Sequence, residues 1–272
     1  MTDVSFSVSG VMLAEKTDKI LLVDADTIAY ATCSVCEYAE YLVDNAESMP
    51  TYDEKEGCIW HIDLDKALNM AMVRIEEILD ITGCSSAELY FSSGRTFRHD
   101  LTDSYKANRS KTRYPVGLSN LKDLLLEKHA GEICKGYEAD DVVVMLKKHY
   151  PDKYVLAAVD KDVINSVPGK HFDYYRGKSR DMGWVEVTED TAAKWPYIQC
   201  ISGDATDGIK GVPGLGPVKA KAIISKLTDT KDMWDAVVAA YKKAKLDESE
   251  AILNMRLVNM HQLDIDREIN LF

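Results

Sequence analysis

The 272-residue chain has no stretch approaching the eighteen or so uninterrupted apolar residues that a membrane-spanning helix needs. No charged-then-apolar leader with a cleavage site opens it. On those two absences we expect an intracellular protein. Positive charge is also scarce: Lys and Arg number 33 against 45 Asp and Glu, a formal net charge of −12, which argues at first against a polyanionic partner. The six cysteines do not make a zinc set. Cys33 and Cys36 can share a face of a helix, but Cys58 and His61 are three apart in what reads as a strand and point to opposite faces. Reduced, unpaired thiols are expected instead. Hydrophobic residues make up 46%, enough for one large core or two modest ones.

What the sequence does have is acid in unusual places. Glu138, Asp140 and Asp141 crowd into four residues directly before the apolar run Val142 to Leu146. At about 4 Å and an effective dielectric near 20, each like-charge pair costs roughly 4 kcal/mol, and a divalent metal removes that penalty. The apolar run predicts a buried helix with these acids in its first turn, where the macrodipole favours negative charge. The bases, though few, are also clustered. Arg95, Arg98, Lys106, Arg109, Lys111 and Arg113 face only Asp100 and Asp103, and Lys210, Lys219, Lys221 and Lys226 follow later. Basic strips able to hold phosphates therefore survive the overall acidity.

Taken in order, residues 1 to 18 predict an edge strand or arm. Ile20 to Val23 predicts a buried strand ending at Asp24-Ala25-Asp26, with a helix from about Thr27 to Tyr41. A carboxylate at the end of a strand lies where open α/β sheets place their ligands. Asp44 to Gly57 reads as a loop. Leu64, Leu68, Met72, Ile75, Ile78 and Leu79 recur at helical spacing up to Gly83. Glu88 to Phe91 is a second strand, and Lys106 and Arg109 share a face on a helical reading, positioned to grip one phosphate. Leu118 to Glu127 is a helix. Tyr154 to Val159 is a third strand, again ending on acids, Asp160 and Asp162. His171 to Tyr175 adds a strand and Arg176 to Gly183 a loop. Strands alternating with helices predict an α/β fold with a doubly wound, mostly parallel sheet whose C-terminal edge gathers Asp24, Asp160 and Asp162 beside the acidic helix start. From Ile198 the texture changes: Asp204 and Asp207 precede glycines at 208, 211, 214 and 216 and a helix near Pro217, a pattern similar to helix-hairpin-helix phosphate grips. Trp234 to Phe272 predicts ordinary amphipathic helices.

Val23-Asp24, Tyr105-Lys106-Ala107-Asn108-Arg109, Glu138-Ala139-Asp140-Asp141, Asp160-Lys161-Asp162 and Gly203-Asp204-Ala205-Thr206-Asp207 with the glycine hairpin stand in the order found in the 5′-nuclease family. The chain resembles those flap endonucleases, bacteriophage 5′→3′ exonucleases and 5′-nuclease domains of DNA polymerase I over about residues 19 to 227. The resemblance implies a PIN/5′-nuclease-like core over residues 1–197, with a helical gateway at about 95–130. It implies a helical C-terminal subdomain over 198–272, carrying a helix–three-turn–helix at about 201–227. It implies a phosphodiesterase acting in replication or repair at 5′ ends or 5′ flaps of duplex DNA, with RNA–DNA hybrids as a further partner. The metal acids would be Asp24, Glu138, Asp140, Asp141, Asp160, Asp162, Asp204 and Asp207, holding two Mg²⁺ for which Mn²⁺ substitutes, and K⁺ would sit at the helix–three-turn–helix. Lys106 and Arg109 would be the catalytic basic pair of the gateway, placing positive charge on the reacting phosphate. Tyr105, Arg98, Gly208, Gly211, Gly214, Gly216, Lys219 and Lys221 would contact DNA. No polymerase domain follows, so a monomeric bacteriophage or accessory bacterial protein acting in trans is expected, in the host cytoplasm if phage-borne.

Within that scheme Glu138, Asp141 and Asp160 are assigned to the tighter of two metals and Asp162, Asp204 and Asp207 to the other. One departure is that Ser92-Ser93 stands where the family usually carries an aspartate; Asp26 is the candidate substitute, or else orients a metal-bound water. Two rival readings compete. Asp24-Ala25-Asp26-Thr27 superficially fits a haloacid-dehalogenase-like phosphatase, but that scheme leaves Glu138 to Asp141 and the hairpin unexplained. The Ser92 departure could instead mark a DNA-junction-binding protein with weakened catalysis.

Overall fold

The computed structural model describes residues 14–41, 58–111, 113–175 and 182–272. The expected arm before residue 14 and most of the two expected loops lie outside these residues. Strand β1 (Ile20–Asp24) leads into helix α1 (Asp26–Cys36), and β2 (Glu37–Tyr41) pairs antiparallel with β3 (Cys58–Ile62). The first helix therefore stops five residues short of the expected Tyr41. The side chains that follow Cys36 alternate in a strand, Ala39 lying opposite Trp60. Helix α2 (Leu64–Thr82) is capped by Asp63, which accepts from the Lys66 N–H, and ends at Gly83 with φ 71°. Only glycine fits there, because a Cβ would collide with the Glu15 carbonyl.

The chain then runs through β4 (Ser86–Thr96), the short α3 (Phe97–Leu101), a 3₁₀ turn at Ala107–Lys111 and α4 (Leu118–Leu126). It continues with β5 (Ala130–Gly136), α5 (Ala139–His149), β6 (Tyr154–Ala158), α6 (Lys161–Asn165), β7 (Gly169–Asp173) and β8 (Gly183–Val187). The main sheet has the order β5-β4-β1-β6-β7-β8, parallel except for β8. Successive side chains of β1 serve opposite faces. Leu21 and Val23 pack with Ile75, Ile78 and Leu121 on one side, and Leu22 packs with Val142, Val143 and Leu156 on the other. Helices on both faces make the sheet doubly wound, as the run of apolar strands requires.

Helices α7 (Glu189–Ser202), α8 (Pro217–Ile224), α9 (Thr230–Lys243) and α10 (Glu248–Val258) enclose a third core around Ile201, Ile224, Val237 and Tyr241. Helix α7 runs without a break through the expected boundary at 197/198, so the helical part starts at Glu189. After Val258 the tail is not helical: Leu263 and Ile269 form an isolated antiparallel bridge. No helix among the described residues is long and apolar enough to cross a membrane.

Candidate active site

The acids meet where the topology says they should. Asp24 is the last residue of β1, Asp160 caps α6 by accepting the Asp162 N–H (2.8 Å), and Glu138 caps α5 in a reciprocal box with Asp141. Asp24, Glu138, Asp140, Asp160 and Asp207 line one cleft of about 1740 Å³, together with Lys106 and Arg109. A smaller pocket shares Glu138, Asp140 and Asp160 and adds Asp162 and Asp204.

Crowding shows in the protonation of the group. Burial, then the charges of Asp26 and Asp160, push Asp24 up to about 7. Burial, then Asp24 and Glu138, push Asp140 well above the usual carboxylate range. Burial, then Asp160, takes Asp162 up to about 8. Glu138 goes the other way: burial opposes its charge, but Lys106 and Arg98 outweigh burial and hold it down to about 2. All these donors are carboxylate oxygens, the set a hard divalent cation prefers. Among the described residues no three side chains form a ready-made coordination set; the acids face a shared space without converging on a point.

Two of the cations lining the cleft, Lys106 and Arg109, are engaged with its acids. Lys106 Nζ lies 2.6 Å from Glu138 Oε1 and 3.7 Å from Asp207 Oδ2, and Arg109 Nη2 lies 2.6 Å from Asp207 Oδ1. They do not share an α-helical face. Lys106 takes a left-handed φ of 53° just before the 3₁₀ turn, so it is the turn, docked on the hairpin, that brings both to Asp207. The docking bonds run from Lys106 N–H to the Asp207 carbonyl (2.9 Å) and from Asn108 Nδ2 to the Thr206 carbonyl (3.1 Å).

Several expected assignments change. Arg98 is 2% exposed and cannot reach DNA: its guanidinium grips both Asp141 oxygens (2.7 and 2.6 Å), reaches Glu138 and donates to the Leu257 and Asn259 carbonyls. Asp141 is thereby removed from the metal set, since its carboxylate is wholly buried against Arg98 and also accepts the Glu138 N–H. Tyr105 is buried too, its hydroxyl donating to Glu138 Oε2 at 2.8 Å, so it orients an acid and does not contact DNA. Gly208 and Gly211 are packing glycines: a Cβ would strike the Ser104 carbonyl at the first and the Gly203 backbone at the second. Gly214 and Gly216 open onto empty space, and Lys219 and Lys221 are exposed on α8, with Lys219 Nζ donating to the Gly214 carbonyl (2.9 Å). Ser92 is a capping residue, its Oγ accepting the Ala139 N–H at the start of α5 (3.0 Å). Asp26 is no free substitute ligand. One oxygen accepts the Ser92 N–H (2.8 Å) and the other holds Lys122 Nζ (2.6 Å).

Lys122 and Gln199 were not anticipated. Lys122 looked like any polar residue of an amphipathic helix. Gln199 did carry a signal, as a polar residue amid Ile198, Cys200 and Ile201, all buried in α7.

In sequence the chain is similar to proteins named as exonucleases, and its fold is similar to that of a solved flap endonuclease. It is 26% identical to the exodeoxyribonuclease of Enterobacteria phage T3 over 277 residues, covering 86% of this chain and 90% of that one. It is 28% identical to the exonuclease of Escherichia phage T7 over 190 residues, 65% of this chain and 62% of that one. With DNA polymerase I of Rhizobium leguminosarum it shares 29% identity over 160 residues, 55% of this chain but only 16% of the polymerase. Among solved structures, the bacteriophage T5 D15 flap endonuclease crystallised with DNA and metal ions superposes with a TM-score of 0.63 at 15% identity, covering 92% of each chain, a likeness of fold. No family model matches the chain.

Proposed function

We propose that this protein hydrolyses phosphodiester bonds at or near the 5′ ends and 5′ flaps of duplex DNA, using divalent cations held by Asp24, Glu138, Asp140, Asp160, Asp162, Asp204 and Asp207. The observation that carries the reading is the single cleft in which acids from the ends of β1, β5 and β6 face Lys106 and Arg109. It is supported by the names of the phage relatives, which are exonucleases. Two Mg²⁺, or Mn²⁺ in their place, would supply a more acidic attacking water and neutralise charge at the leaving 3′ oxygen. Lys106 and Arg109 leave their carboxylate partners for the scissile phosphate and stabilise the charge that builds on it. Tyr105 and Arg98 hold Glu138 in place, and the open backbone at Gly214 and Gly216 with Lys219 and Lys221 grips the duplex, with K⁺ at the same turn. RNA in a hybrid duplex is a further substrate on this reading, the acting species a monomer within the cell.

The test is a labelled 5′-flap duplex incubated with Mg²⁺, then with chelator. Cleavage that the chelator abolishes is expected, with no release of phosphate from p-nitrophenyl phosphate. Binding without cleavage would favour a non-catalytic junction binder. The phosphatase reading is disfavoured by Asp26, which would have to act as a free acid and is instead paired with Lys122.

A further inference from the structure

The small pocket that adjoins the acid cleft, about 30 Å³, has Asp160, Asp162, Asp204 and Gln199 in its lining. Two of the oxygens in these side chains, Asp162 Oδ1 and Gln199 Oε1, are buried and without any hydrogen-bond partner. Gln199 is 7% exposed and Asp162 5%. Leaving such acceptors dry costs about 1–3 kcal/mol each, more for a charged group, so a native fold keeps them only where something else satisfies them. Two donors of the lining are already spent. Arg98 is committed to Asp141, Glu138 and two carbonyls, and the Tyr105 hydroxyl to Glu138. The space is large enough for one small occupant. A lone water could donate to both oxygens, but it would not offset the carboxylates of Asp160, Asp162 and Asp204, whereas a hard cation does both.

We infer that Gln199 is a neutral oxygen ligand of the divalent cation held by Asp160, Asp162 and Asp204. This deepens the proposed function and rests on it. Its consequence is a site with one uncharged donor supplied by α7, the same helix that ends at Gly203 beside Asp204.

The experiment is Mn²⁺ titration of the full-length, metal-free protein without DNA, following free Mn²⁺ by electron paramagnetic resonance. Wild type is expected to take up two ions. Gln199→Met keeps the side-chain volume and removes the oxygen, and should weaken one of the two ions about 10- to 100-fold while leaving the other unmoved. Gln199→Glu replaces the amide oxygen with a carboxylate and should bind that ion at least as tightly as wild type. It also decides the matter if Gln199→Met does not fold, since an ion bound more weakly by Gln199→Glu would overturn the inference. Unchanged Mn²⁺ affinity in Gln199→Met would overturn it as well, leaving the pocket to water or to an amide turned to donate to Asp162. Failure of the underlying metal reading looks different: wild type and Asp204→Asn would then bind equally little Mn²⁺.

Discussion

Arg98 and Lys106 carry the same charge and have opposite duties. Removing Arg98 as Arg98→Ala strands the buried Asp141 carboxylate without a counter-ion, and should cost about 3–5 kcal/mol in urea unfolding. Arg98→Lys should recover only part of this, because an ammonium cannot match the two-point grip on Asp141. Lys106→Ala should leave duplex affinity nearly intact and slow single-turnover cleavage by about a hundredfold or more. A rate within about threefold of wild type would show that the ammonium does not act on the reacting phosphate. Asp160→Asn should likewise bind and not cut, even in saturating Mg²⁺. The sequence could not tell the two cations apart. Both lie in one basic run, and Arg98 is buried by carbonyls 159 and 161 residues further along.

Strands β1 and β6 were legible because sheet strands covered on both faces read as continuous apolar runs. Strand β5 was not, for it lies at the sheet edge and its residues are mostly exposed or half-buried. Strand β8 closes the other edge with the same mixed character. Helix α7 was hidden by Pro196, which reads as a breaker, and by apolar residues that form no single stripe. The glycine hairpin was legible as a type of element, but the duties of its glycines were not, since they depend on what lies beside each one. Gly211→Ala drives a methyl into the Gly203 backbone and should lower the melting temperature clearly more than Gly214→Ala, which meets open space and carries only the strain of its φ of 77°. Equal losses would erase the distinction between packing and open glycines. Neutralising Lys219 and Lys221 should flatten the salt dependence of duplex binding by about one unit each. An unaltered slope would return both to the solvated surface.

Seen whole, the metal-free protein is strained by its own acids. Asp24 and Asp162 have folded pKa values of about 7 and about 8 against an ordinary 3.8, so between pH 4 and 8 the unfolded chain gives up protons that the folded one retains. Stability should therefore fall as pH rises through that window and level off above it. Glu138, held at about 2, contributes stability that is fully present above its ordinary value of 4.5 and is lost as pH falls from there through about 2. Millimolar Mg²⁺ should raise the urea midpoint at pH 8 far more than at pH 5, since a cation takes the place of the retained protons. Equal effects at both pH values would mean that the acids do not hold the ion. The fold class followed from the alternation of strands and helices, and the convergence of acids from strand ends hundreds of atoms apart followed from the rule that sheets offer ligands their C-terminal edge. Helix α7 adds something no pattern announced. Its 14 residues form a rod about 21 Å long, joined at one end to β8 and at the other, through Gly203, to Asp204 and the glycine turns. Sheet edge and acid turn are thus the two ends of one helix, so Asp204 takes its place from the sheet as much as from the turn that carries it.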